Sequence, residues 1–144
     1  MKRIVILSLL LSSVIPGFSQ ELPADYQWQN RVLLVFGPTP DHYMVREQLA
    51  LWQPEHIGFK ERNLVVFRIY ANKGLQPKGG QLNSSEVKSL RTKYQISNEK
   101  FWVILIGKDG GTKLSSSELL TVKELFMVID RMPMRRQEMA DQEH

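Results

Sequence analysis

The sequence has no cysteine. That one absence excludes thiol–disulfide exchange, peroxide reduction by a thiolate, disulfide staples and thiolate metal sites. Histidine is scarce too: His42, His56 and His144 stand apart, and no His/Asp/Glu set has metal-ligand spacing. Neither a metal nor another cofactor is expected. The formal charge is only +4, too mild to argue for nucleic acid or an acidic membrane. Nucleic-acid binding would want a strongly basic face interleaved with aromatics. A membrane-surface helix would want a basic polar face, whereas the last apolar-striped segment sets Glu118 and Glu124 against Lys123. No apolar run reaches the roughly 20 residues that a bilayer span needs.

What the chain does have begins at its start. Met1-Lys2-Arg3 precedes a short apolar run, Ile4 to Ile15, and then Pro16-Gly17-Phe18-Ser19. Charge, apolar core and small residues in that order form a secretory signal layout, with cleavage expected before Gln20. The alternative is a buried N-terminal strand or a retained anchor. A lipid anchor would need a cysteine at the cleavage site. Residues 1–19 are therefore expected to be a signal peptide and residues 20–144 a single exported domain, periplasmic or extracellular, with no stable membrane insertion. Losing Lys2 and Arg3 removes two of the four net positive charges and leaves the mature chain near +2. The remaining length can bury a core without staples.

Along the mature chain Trp28 reads as an anchor in an irregular lead. Val32 to Phe36 is a continuous apolar run ended by Gly37-Pro38, as a strand buried on both faces requires. Thr39-Pro40-Asp41 reads as a helix start, with Thr39 capping. Val45, Leu49 and Trp52 give that helix its apolar face, and Pro54 closes it. Asn63 to Tyr70 is a second strand. Ala71 to Leu82, with three glycines and a proline, reads as a loop. Asn83 and Glu86 have capping-box spacing ahead of a helix carrying Val87, Leu90 and Tyr94. Phe101 to Ile106 is a third strand, Lys108-Asp109-Gly110-Gly111 a hairpin turn, and Thr112 to Leu114 the return strand. Ser115 and Glu118 suggest another capping box. Leu119, Val122, Phe126 and Ile129 stripe the last helix, which should stop at Met132 before Pro133, leaving a charged tail.

The order βαβ, α, ββα is an α/β pattern of thioredoxin-like type: a mixed four-stranded sheet with helices on both faces. Another small α/β sandwich with different strand pairing would give the same order.

Four stretches together carry a family likeness: Trp28 to Phe36, Glu61 to Val66, Leu105 to Gly111 and Ile129 to Met139. They resemble the domain of unknown function 4174 family over nearly all of the mature chain, the tail stretch being the most specific. The resemblance implies a thioredoxin-like fold and export. Relatives occur in exported bacterial proteins and in vertebrate secreted matrix proteins of the sushi-repeat-containing type. It implies no known substrate.

Two groups of residues are candidates for chemistry. In thioredoxin-like enzymes the working loop follows the first strand, here Gly37 to His42. No thiol stands there, and Ile96 to Lys100 lacks the proline such enzymes place before the third strand. Asp41 and His42 could act as an acid/base pair at a helix start; the plainer reading is a dipole-favouring aspartate beside a surface histidine. The second group should gather at the opposite pole, because the hairpin turn and the end of the last helix lie where the first two strands begin. It comprises Arg31, Lys108, Asp109, Asp130, Arg135 and Arg136, with Arg62, Arg131 and Glu138 expected on the same side. As a structural network, the arginines would pair with Asp109, Asp130, Glu61 or Glu138 and bond the last carbonyls of the final helix, with Met132 and Met134 packed beneath. As a recognition surface, they would present planar donors to a protein or acidic ligand. Arg135 and Arg136, beyond the proline, are expected to be the least needed for the core. The function expected is a non-catalytic binding or envelope-organising role, the alternative being a cysteine-independent enzyme built on Asp41/His42 or the arginines.

Overall fold

The computed structural model describes residues 26–144; the expected signal peptide lies outside the described residues. The elements run β1 (Arg31–Phe36), α1 (Tyr43–Trp52), a 3₁₀ turn (Gln53–Glu55), α2 (His56–Glu61), β2 (Leu64–Ile69), β3 (Gly74–Leu75), β4 (Gln81–Leu82), α3 (Ser84–Tyr94), β5 (Trp102–Ile106), β6 (Thr112–Ser116), α4 (Val122–Asp130) and α5 (Pro133–Gln142). The strands form one sheet in the order β4-β3-β2-β1-β5-β6. β1 and β2 are parallel, and every other neighbouring pair is antiparallel.

β1 is buried along its whole length, as its unbroken apolar run requires. Its side chains alternate between two cores. Leu33 and Val35 join Val45, Trp52, Phe59, Leu105, Leu125 and Ile129 under α1, α2 and α4. Val32, Leu34 and Phe36 join Phe67, Ile69, Val87, Leu90 and Ile104 under α3. Each fully buried side chain of this size contributes about 1.5–3 kcal/mol, so the sheet is held from both faces. One polar clamp crosses the first core. The Gln48 amide donates to the Leu120 carbonyl at 2.9 Å and accepts the Leu120 N–H at 2.7 Å. The Trp52 indole N–H donates to the same carbonyl at 3.0 Å.

The thioredoxin-like arrangement stands, with differences. The sheet has six strands rather than four, because Gly74–Leu75 and Gln81–Leu82 pair within the stretch read as a loop. Two residues per strand are too few to show a period. Gly74 is needed there, since a Cβ would lie 2.8 Å from the Arg68 carbonyl. α1 begins at Tyr43 with His42 as an N-cap that makes no side-chain bond. Thr39 instead accepts the His42 N–H at its carbonyl, 3.3 Å away, in a turn. Pro54 does not close the segment. It sits in the first turn of the 3₁₀ piece, where its missing N–H costs nothing, and the chain continues into α2.

The Asn83/Glu86 capping box is present on α3. The second box is Thr121/Glu124 at the start of α4, not Ser115/Glu118; Ser115 lies in β6, where its hydroxyl accepts the Trp102 indole N–H at 2.7 Å. Trp28 is no anchor: its side chain is exposed, and only its backbone holds, donating to the Lys108 carbonyl. The tail after Pro133 is a ten-residue helix with that proline in its first turn.

Candidate functional site

The loop after β1 is shaped by a few backbone contacts. The Gly37 N–H donates to the Ile69 carbonyl at 3.0 Å, and Ala71 donates to Pro38. A Cβ on Gly37 would run into Val45, so the turn sits directly on α1. The His42 ring lies 4.9 Å from that of Tyr43, and its Nδ1 is buried without a partner among the described residues. Asp41 is exposed. Burial raises the Tyr70 hydroxyl pKa; nearby Arg68 counters this and the charge of Asp41 adds to it. The structure records no bond between Asp41 and His42, so the pair is not assembled for proton transfer.

Behind this loop stands Arg91, a residue that reading for acid/base groups passes over. It shares a helical face with Val87, Leu90 and Tyr94, and that spacing places it toward the core. Its guanidinium donates to the carbonyls of Tyr70 (3.2 Å), Ser97 (2.6 Å) and Gly37 (2.8 Å). Burial lowers its pKa, and the charge of Glu99 partly offsets that. One cation thus joins the ends of β1 and β2 to the turn after α3.

The opposite pole is ionic. Arg31 opens β1 and is 1% exposed. It clamps Glu138 of α5 with two nitrogens at 3.1 Å each and donates to the Arg62 carbonyl at 2.8 Å. Its Nε has no partner among the described residues. Lys108, in the β5–β6 turn, reaches the same carboxylate at 2.6 Å. Arg62, just after α2, forks onto Asp130 at 2.9 and 2.8 Å. It lies flat on Phe126, 3.7 Å from the ring centroid. A Cβ on Gly58 would crowd that ring, so the residue opposite must be small. Arg135 touches Asp130 at 3.3 Å and donates to the Glu61 carbonyl at 3.1 Å.

For both carboxylates, burial pushes the pKa up, but the opposing bonds win. Arg62 and Arg135 hold Asp130, and Arg31 and Lys108 hold Glu138, below their ordinary values.

Of the six residues marked in the sequence, four therefore meet here: Arg31, Lys108, Asp130 and Arg135. Asp109 turns away, accepting from Lys113 (2.9 Å) and the Gly111 N–H (3.0 Å) to shape the hairpin. Arg136 faces solvent. Arg135 is buried and is a load-carrying part of the docking of α5, contrary to its expected dispensability. The carbonyls satisfied belong to the end of α2, not to the final helix. Met132 packs on the first core, while Met134 is exposed. Arg62 and Glu138, expected at this pole though not among the six, complete the set; Glu138 follows Arg135 by one helical turn.

A mixed sheet with helices on both faces and a working loop after its central parallel strand defines the thioredoxin-like class. Solved structures agree. Reduced 2-Cys peroxiredoxin of Plasmodium vivax is similar over 78% of this chain and 83% of its own, with TM-score 0.58 and 17% identity. An N-terminally modified Prx1a of Plasmodium yoelii gives TM-score 0.58 at 19% identity, covering 78% of this chain and 79% of its own. The chain belongs to the family described as Domain of unknown function (DUF4174), whose model matches residues 22–138. It is also 26% identical over 135 residues to Coiled-coil domain-containing protein 80 of Danio rerio. That alignment takes in 82% of this chain but only 16% of the relative's length.

Proposed function

We propose that this chain is an exported thioredoxin-like binding module without redox chemistry. The carrying observation is the loop Gly37 to His42, at the position where thioredoxin-like enzymes work, in a chain with no thiol at all. Export rests on the Met1–Ser19 layout of charge, apolar run and small residues. The ligand is a protein or an acidic group. With Arg31, Lys108, Asp130 and Arg135 engaged with one another, Arg136 is the cation of the marked set that α5 presents to solvent, and Met134, two residues before it, is exposed on the other flank of that helix. A guanidinium with no carboxylate in ion-pair distance among the described residues, on a helix that also exposes a soft apolar side chain, suits a protein partner.

The test pairs two measurements. Disulfide reductase, peroxidase and isomerase assays of the purified chain should be blank, and turnover in any of them overturns the reading. Cross-linking from envelope extract should capture a partner with the native chain and lose it with Met134→Ala/Arg136→Ala at unchanged melting temperature. Equal capture by both proteins would remove the α5 surface from the proposal.

A further inference from the structure

The outer edge of β2 is only partly paired. β3 meets Arg68 and Ile69 and goes no further. The parallel ladder with β1 fixes what the remaining residues do. Arg31 donates to the Asn63 carbonyl and Gly37 to the Ile69 carbonyl, so the odd-numbered residues of this stretch turn their backbone groups toward β1. Leu64 and Val66 turn theirs the other way. Among the described residues no strand pairs with them on that side, leaving two N–H and two C=O groups along an open edge.

The side chains of the same two residues enter the core face beneath α1 and α2. There they form the floor of a groove of about 910 Å³ with Leu49, Trp52 and Phe59. The rim is cationic. Arg46, Lys60 and Arg68 border the groove, and among the described residues no aspartate or glutamate lines it. None of the three has a carboxylate within ion-pair distance among the described residues.

We infer that this edge is a strand-addition site for an extended segment of a partner protein that carries, at every second position, apolar residues flanked by acidic ones. The four free backbone groups supply the ladder; the side chains at alternate positions all face the groove, the apolar ones meeting its floor and the acidic ones at either end meeting the rim. The charge also argues against a second copy of this chain. Two copies meeting edge to edge would bring the three cations of one against those of the other. The inference goes beyond the α5 surface proposed above and does not depend on it.

The test is a titration of the ¹⁵N-labelled mature chain with the capped heptapeptide Glu-Ser-Val-Ser-Val-Ser-Glu. The amide signals of Leu64 and Val66 should shift and gain protection from hydrogen exchange. The same peptide with both glutamates replaced by lysine, and the glutamate peptide N-methylated on its pairing edge, should leave them unchanged. Arg46→Glu/Lys60→Glu lies on exposed positions and should weaken binding by about tenfold or more at unchanged melting temperature. Unmoved Leu64 and Val66 signals at saturating peptide overturn the inference, as does equal binding of the lysine peptide. Protection already present in the free chain also overturns it. Concentration-independent protection would make a segment of the chain itself the occupant, and concentration-dependent protection a second copy. Redox assays and α5 capture are untouched by any of these results, so the two proposals fail separately.

Discussion

The two ends of β1 bury a guanidinium each, by different means. Arg31 at the first end is neutralised by the carboxylate of Glu138 on α5. Arg91, behind the second end, is surrounded by backbone carbonyls and has only the more distant charge of Glu99. The first arrangement holds only while Glu138 and Asp130 are ionised. The second rests on carbonyls that do not titrate. The molecule thus closes one pole with a pH-dependent fastening and the other with a pH-independent one, and substitutions can separate them.

The largest effect is expected at Arg91. Arg91→Met keeps the length and the apolar stem but strands the carbonyls of Gly37, Tyr70 and Ser97. Each buried acceptor left without a donor costs about 1–3 kcal/mol. Water reaching the outermost of them softens the total, so a loss of about 3 kcal/mol is expected by chemical denaturation. A loss below about 1 kcal/mol would show that the carbonyls find water, and the contrast between the poles would shrink.

Arg31→Met should cost less, about 2 kcal/mol, although the residue is the more deeply buried. Breaking a buried pair costs about 3–5 kcal/mol when it abandons a charge. Here Glu138 keeps Lys108 at 2.6 Å and part of its surface in water. The Nε that already lacks a partner also makes Arg31 a less satisfied group than Arg91. If both substitutions cost the same, the retained Lys108 contact is worth nothing.

Much of this contrast was legible in the residues, and the part that was not has physical reasons. The unbroken run Val32 to Phe36 marks the central strand because every side chain there is buried. Strand direction alone brings Arg31, Lys108 and Asp130 to one pole. Arg91 was within reach of the helical spacing of Val87, Leu90 and Tyr94, but a cation on an apolar face is easily assigned to solvent. α5 was hidden because it buries chiefly an arginine, Arg135, so its helical period is written in charge and not in apolar residues. Pro54 misled because a proline that stops one helix can equally open the next turn. The groove beside β2 exists because β3 is two residues long, a matter of pairing length that no local pattern states.

The smallest effect at neutral pH, and the sharpest for the comparison, concerns acid. Both Asp130 and Glu138 are held below their ordinary values of 3.8 and 4.5. A carboxyl with a lowered folded-state pKa contributes stability that is fully present above its unfolded value. That contribution is lost as pH falls through the folded one. Unfolding free energy should therefore be level above about pH 5 and decline below it as the two carboxyls take up protons. Glu138→Gln removes one of them and keeps the shape. It should lower stability by about 1 kcal/mol at pH 7 through loss of the charge-assisted bonds, and flatten the decline below pH 5. Arg91→Met should instead shift the whole curve down and leave its slope as it was, because no carboxylate bonds that guanidinium. Parallel slopes for native and Glu138→Gln proteins would mean that the ionic pole does not govern acid stability. A changed slope in Arg91→Met would mean that the two ends of β1 are coupled through the strand between them.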